Sequence, residues 1–324
     1  MVTLSSLGLA GCGPMAYKIE PVPADRSLEE KTLINEGGWS PSKIVLIDVS
    51  GLIMNGHKFS LMGEGENPVS VFVEHLDKAS RDPSVRGVVL RINSPGGGVT
   101  ASDVMYRELL RFKECTGGKK PVVTVMMDVA ASGGYYLACG SDEIVAYPTT
   151  VTGSIGVIMM NVNLKGTMDK LGVQTDAIKS GKMKDAGSPF RDMKADERAL
   201  FQRLIDEYYD QFVHVVMAGR PKLTEARIRE LADGRVYSGQ QALENGLVDK
   251  VGTLRDALCS IKERIGAEHV RVVTYQRPTD YKPNIYARDP SGAPQVNVNL
   301  LNLQMPETLF GFEPQFMYLW TAGR

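Results

Sequence analysis

The sequence predicts an α/β protein, and three observations lead there. Strand-like runs recur at 43-KIVLIDVSG-51, 86-RGVVLRIN-93, 121-PVVTVMM-127 and 143-EIVAYP-148. Their apolar character is nearly continuous rather than alternating, as in strands covered on both faces of a parallel sheet. Helical patterns fall between them, and strand–helix–strand repetition at this spacing is the mark of α/β architecture.

Taken in order, 68-PVSVFVEHLDKAS-80 reads as a helix between the first two strands. In 99-VTASDVMYRELLRFKE-114, Ala101, Met105, Leu109 and Phe112 share one face, with Thr100 or Ser102 expected as the cap. The run 174-QTDAIKS-180 reads as a further strand. Residues 195–219 form a long amphipathic helix, with Phe201, Leu204, Ile205, Tyr208, Phe212, Val215 and Val216 along one stripe. Shorter helices are expected near 223–233, 238–247 and 253–266, then a strand at 270–275. From about residue 277 Pro, Asn and Gly dominate, ending in the aromatic patch 310-FGFEPQFMYLW-320. That patch is expected to pack on a neighbouring subunit or to cover its own domain. No internal repeat is present. The expected plan is one domain over 42–276, an N-terminal tether over 13–41 and a C-terminal tail over 277–324.

Bulk properties exclude several classes. The formal net charge is −1 over 324 residues, which provides no electrostatic footprint for nucleic acid. No stretch approaches the ~18–20 apolar residues that cross a bilayer. The four cysteines, Cys12, Cys115, Cys139 and Cys259, have no metal-ligand or C-x-x-C spacing, and the four histidines are widely spread. Neither a metal nor a cofactor is expected.

The N-terminal stretch 4-LSSLGLAGC-12 ends in Leu9-Ala10-Gly11-Cys12, which resembles a bacterial lipobox. Small residues suit the narrow site of a processing peptidase, and acyl chains on Cys12 would then anchor the protein to a membrane. The segment departs from the pattern in having no Lys or Arg before its apolar run, and the alternative is a simple tail.

Three elements at strand ends carry chemistry. In 93-NSPGGG-98, a turn and three glycines separate a strand from a helix, leaving N–H groups able to meet an anion or a developing oxyanion. The order is neither G-x-G-x-x-G nor a Walker A loop. In Ala130-Ala131-Ser132-Gly133-Gly134-Tyr135-Tyr136, a serine lies at a strand-to-helix turn among small residues. That placement suits a bare nucleophile, as at a nucleophile elbow, or a helix cap. A nucleophile needs a base, yet no histidine occurs between His75 and His214. A neutral lysine is the remaining choice, and 179-KSGKMKDAGSPF-190 offers Lys179, Lys182 and Lys184. Spacing alone does not choose among them.

Asn-Ser-Pro-Gly-Gly-Gly, Ala-Ala-Ser-Gly-Gly-Tyr-Tyr, Thr-Gly-Ser-Ile-Gly-Val at 152–157 and Ser-Gly-Lys-Met-Lys-Asp occur in that order, followed by 231-LADGRVYSGQQALENGLVDKVG-252. Together they resemble the bacterial signal peptide peptidase A family, over about residues 42–275. The resemblance implies a Clp-protease/crotonase-like fold, a repeated β-β-α superhelix with a helical C-terminal part. It implies that Ser132 is the nucleophile, that Lys184, just before Asp185, is the general base, and that Ser154 orients the lysine. It implies Gly97 and Gly133 as backbone oxyanion donors. It further implies a homo-oligomeric ring on the outer face of the cytoplasmic membrane that cleaves extended peptides such as remnant signal peptides. Two other classes compete: a non-catalytic ring that only binds peptides, and an acyl-CoA enzyme of the crotonase type. The first has no need of Ser132, Lys184 and Ser154 together, and the second leaves the Ser-Gly-Gly-Tyr-Tyr and Lys-Asp elements unexplained.

Overall fold

The structure is a computed structural model that describes residues 27–38, 41–56, 59–60, 63–64, 66–277 and 316–321. Cys12 and the lipobox-like stretch lie outside the described residues. In chain order the elements are β1 (Glu29–Asn35), β2 (Ser42–Ser50), the short pair β3 (Phe59–Ser60) and β4 (Gly63–Glu64), α1 (Pro68–Arg81), β5 (Val85–Ser94) and β6 (Gly96–Gly98). They continue with α2 (Val99–Cys115), β7 (Val122–Ala131), α3 (Gly133–Ala138), β8 (Glu143–Ala146), β9 (Val151–Gly153), β10 (Ile158–Met159) and α4 (Lys165–Leu171). The last are α5 (Ala195–Gly219), α6 (Glu225–Leu231), β11 (Val236–Ser238), α7 (Gly239–Glu244), β12 (Lys250–Val251), α8 (Leu254–Arg264), β13 (Val270–Gln276) and β14 (Phe316–Leu319).

The central sheet runs β1-β13-β2-β5-β7-β8-β12, with β9 also pairing β7 and β11 pairing β9. Apart from the antiparallel β1–β13 and β11–β9 pairs, its ladders are parallel. The period of two in each strand divides the core. Ile44, Leu46, Val89, Val123 and Val125 face α8 through Leu254, Ala257 and Ile261. Val45, Ile47, Val88, Leu90, Ile92 and Met126 face the larger cluster built by α1, α2, α3 and the C-terminal half of α5. Coverage on both faces explains the continuous apolar runs, and the α/β class follows directly.

Local chemistry sets the helix starts. Asn67 caps α1, its Oδ1 accepting from Val69 N at 3.0 Å and Ser70 N at 3.3 Å, with Pro68 following where no amide donor is needed. The expected cap of α2 is corrected: Gly98 is the N-cap without a side-chain bond, and Ser102 Oγ instead donates back to the Gly98 carbonyl at 3.0 Å. Two further expectations change. Residues 29–35, placed in a tether, form an edge strand whose ladder is supplied by β13. Residues 174–180 form no strand; each is an exposed residue and no neighbouring strand offers a ladder.

Candidate active site

The sheet presents Ser132 through a register shift. Ile92 of β5 lies opposite Met126, but Ser94 lies opposite Ala130, so β7 bulges through Met127–Val129. Asn93 holds the bulge, its Oδ1 accepting from Val129 N at 3.1 Å. Beyond it, Ala130 and Ala131 pair with Thr152 and Gly153 of β9. Thr152 Oγ1 donates to the Ala130 carbonyl at 2.6 Å, and Ser132 N donates to the Gly153 carbonyl at 2.7 Å. The chain then turns at Ser132 with φ 52° and ψ −116°, and α3 begins at Gly133.

The cap reading for Ser132 fails on geometry. Its side chain makes no capping hydrogen bond, and Oγ has no hydrogen-bond partner among the described residues although the residue is 1% exposed. An unpartnered buried hydroxyl costs about 1–3 kcal/mol. A positive φ at a non-glycine residue adds strain of about 1–3 kcal/mol, the kind that collects at functional sites. Among the described residues, the two non-glycines with positive φ are Ser132 and Ser154.

The small neighbours are demanded by contact. A Cβ on Gly133 would lie 2.4 Å from Ser102 Oγ, and one on Gly134 would lie 2.9 Å from the Ser94 carbonyl oxygen. The triglycine strand is equally confined. Gly96 has φ 98°, and a Cβ there would sit 2.6 Å from Gly133 N, so β6 lies directly against the serine turn. A Cβ on Gly97 would meet the Ile53 carbonyl oxygen at 1.8 Å. Ile53 brackets the strand by donating to Gly96 O and accepting from Gly98 N, both at 2.9 Å. Ser94 completes the turn: its Oγ donates to Gly51 O at 2.6 Å and accepts from Gly96 N at 3.1 Å. Ile53 was not legible beforehand, because its part is played by backbone groups that carry no mark in the sequence.

Ser154 follows Gly153 and is therefore brought beside Ser132 by the β7–β9 ladder. It is buried, its N–H donates to Arg235 O at 2.8 Å, and it lines a cavity of about 530 Å³ with Gly156, Ile158, Leu319 and Trp320.

The three lysines differ. Lys179 pairs with Asp185, and Lys182 lies 3.0 Å from an Asp196 carboxylate oxygen. Lys184 is exposed, and its side chain has no hydrogen-bond or ion-pair partner among the described residues. Of the three, Lys184 is thus the one whose amine is not tied to a carboxylate. Arg191 anchors the segment, reaching Asp185 at 2.8 Å and the buried Glu197 at 2.6 Å. Hydrogen bonds from Arg191 and Lys179 hold the Asp185 carboxyl well below the usual carboxylate range.

Ser132, Gly133, Gly97 and Ser154 thus come together, but Lys184 does not reach the serine within one chain. The lysine instead belongs to an arm on which no residue from Gly156 to Ala186 is buried. Of nine exposed large apolar side chains among the described residues, five lie on this arm, Met160, Val162, Leu171, Val173 and Ile178, and Phe190 follows just beyond it.

The described part of the aromatic C-terminal patch, from residue 316 on, covers its own domain. Strand β14 runs antiparallel between β6 and β10, pairing Tyr318 with Gly97 and Met317 with Ile158. Among the described residues, no helix is long and apolar enough to cross a membrane.

Known proteins share this chain's pattern. Residues 116–268 match Peptidase family S49. A protein of Enterococcus faecium that carries the name signal peptide peptidase SppA is 40% identical over 252 residues, 78% of this chain and 72% of that protein. Protease 4 of Haemophilus influenzae is 30% identical over 86% of this chain but 42% of its own length, and the chloroplastic serine protease SPPA of Arabidopsis thaliana is 34% identical over 66% of this chain and 31% of its own. With motifs, fold and relatives in agreement, the chain belongs to peptidase family S49, the family of signal peptide peptidase A.

Proposed function

We propose that this peptidase is a Ser/Lys-dyad endopeptidase that cuts extended, membrane-associated peptides such as remnant signal peptides. The observation that carries the reading is Ser132: buried, held at φ 52° on a strand-to-helix turn, with Oγ unpartnered beside the triglycine strand. In the reaction a neutral Lys184 takes the Oγ proton and Ser132 attacks the peptide carbonyl. The N–H groups of Gly97 and Gly133 hold the tetrahedral oxyanion. Lys184 returns the proton to the leaving amine, and water then resolves the acyl-enzyme. Ser154, beside the nucleophile, orients the lysine amine.

The lysine comes from a neighbouring subunit. Among the described residues none is bonded to Ser132 Oγ as a base, while Lys184 sits on an arm rich in exposed apolar side chains, the surface expected to be covered in an oligomer. A closed ring satisfies every copy, each lending its arm to the next. The unit β5–β6–α2, in which β6 leaves the main sheet for the second one, supports a Clp-protease/crotonase-like β-β-α superhelix. Cys12, lipidated, would tether the ring to the outer face of the cytoplasmic membrane.

The test is turnover of a fluorogenic peptide that carries the apolar core of a signal peptide. Ser132→Ala and Lys184→Ala are each expected to lower kcat by about 10⁴-fold or more, while Lys182→Ala stays near the parent. Activity retained in Ser132→Ala, or lost in Lys182→Ala with Lys184→Ala active, overturns the assignment.

A further inference from the structure

The residue beside the proposed base is held far more firmly than the base itself. Lys184 sits in a run of turns: its N–H donates to Gly181 O, and Ser188 N donates to Asp185 O, both at 3.1 Å. Gly187, with φ 77°, lets the chain double back toward Arg191. A guanidinium carries five N–H donors in one plane, and Arg191 uses all five. Two go to Asp185, one to Oδ2 and one to the backbone carbonyl, each at 2.8 Å. The others go to Glu197 Oε1 at 2.6 Å, Glu197 Oε2 at 3.0 Å and Asp192 O at 3.1 Å. Side chain and backbone of Asp185 are both fixed, and the Cα of Lys184 lies one peptide unit away, ~3.8 Å.

The far end of this clamp is rooted in the core. The Glu197 side chain is 0% exposed and also accepts from Lys194 N at 3.2 Å, in the first turn of α5. The helix dipole favours an acid there. About 22 Å further along the same helix, Phe212 packs on Tyr136 with centroids 5.0 Å apart, and Tyr136 belongs to the helix that starts from the Ser132 turn. One helix therefore joins the support of the nucleophile to the support of the base. The neighbouring Lys182–Asp196 pair differs, its side chains being 77% and 45% exposed, where such a pair contributes little. A buried ion pair adds little net stability over apolar side chains of the same volume. What Arg191 and Glu197 supply is a fixed geometry for Asp185.

We propose that Arg191, rooted on Glu197, is a positioning residue for the reaction: it sets where the Lys184–Asp185 backbone stands relative to α5, and so where the lysine amine is delivered. This rests on the peptidase reading above and adds a residue to its machinery. Arg191 acts through Asp185 and touches neither substrate nor the reacting atoms.

The test starts from stability. Arg191→Met alone strands a buried carboxylate and would loosen the first turn of α5. Arg191→Met combined with Glu197→Met removes both charges, and its melting temperature is expected to stay near that of the parent. Its kcat is expected to fall by about 10²-fold, with KM within about 2-fold. Arg191→Lys, which has no planar fork, should recover little of the loss. Labelling of Ser132 by a small fluorophosphonate, which needs no peptide cleft, should slow in the double variant as it does in Lys184→Ala. Mixed assemblies locate the effect. The double variant should regain turnover with Ser132→Ala, which lends an intact arm, and not with Lys184→Ala. Parent-like kcat and labelling in the double variant, full recovery in Arg191→Lys, or recovery with Lys184→Ala overturns the proposal. So does a double variant that Ser132→Ala leaves inactive although Ser132→Ala restores Lys184→Ala. If those last two fail to restore each other, the shared dyad falls, and kcat and labelling decide on Arg191. If the parent cuts no peptide, the peptidase reading falls, and the labelling rates alone decide on Arg191.

Discussion

The stretch from β5 through α3 and the stretch from β10 to the start of α5 carry the two halves of the proposed dyad, and they are built in opposite ways. Around Ser132 every residue from Ala130 to Gly140 is buried. There the backbone is bonded on both sides, and glycines stand where any Cβ would collide. Around Lys184 nothing from Gly156 to Ala186 is buried, and the segment is held by ion pairs centred on Arg191 and Asp185. The nucleophile half is preorganised by its own fold and can tolerate strain, since the surrounding core over-determines it. The base half has no such burial and rests on its ion pairs; in the proposed ring a neighbouring copy would add the rest.

Several substitutions put that contrast to the test. The largest effect on activity is expected at the confined glycines: Gly97→Ala drives a methyl group into the Ile53 carbonyl, destabilising the cleft by about 3 kcal/mol and abolishing turnover. Thermal melting and peptide hydrolysis read both. Next, Phe212→Ala empties a fully buried site behind Tyr136 and should cost about 3–5 kcal/mol in denaturant unfolding.

Acid titration probes the Lys43–Asp82 pair, which belongs to neither half. Burial alone would raise the Asp82 carboxyl, but the Lys43 and Ser84 hydrogen bonds outweigh it and hold it down to about 2 from the ordinary 3.8. The folded state therefore binds fewer protons than the unfolded state between those values. The pair's stabilisation is complete above the unfolded value and is lost as pH falls through about 2, so Lys43→Met should flatten that part of the stability–pH curve.

The smallest effect on the fold is expected in the arm. Ile178 is fully exposed, and Ile178→Asp should leave the unfolding free energy of the separated chain within about 0.5 kcal/mol of the parent. The same change should shift sedimentation toward smaller species. An arm substitution that unfolded the chain as Phe212→Ala does would erase the distinction between the two halves.

The parts legible in the sequence were those where burial or sterics constrain residue type. The runs of β2, β5 and β7 read as strands because both faces are covered, and Ala130–Gly134 read as a tight turn because only small residues fit beside Ser94 and Ser102. Residues 29–35 read as tether because EEKTLIN is polar and largely exposed; its strand form comes from the ladder offered by β13, far along the chain. The segment 174–180 misled in the other direction, since Ile178 and its neighbours have strand-like character but no partner strand. Among Lys179, Lys182 and Lys184 spacing was silent, because the distinction lies in which carboxylates fold back upon the first two. The seat of β14 was equally hidden: a partner for Gly96–Gly98 is supplied by residues more than two hundred positions away.

The most direct test of the account is a mixing experiment with two inactive proteins, Ser132→Ala and Lys184→Ala. If the serine of one copy is served by the lysine of the next, dissociating and reassembling the pair in equal amounts restores activity, up to about a quarter of the parent value for random assembly. Activity that remains absent after mixing, in oligomers shown to contain both variants, would contradict a dyad shared between subunits.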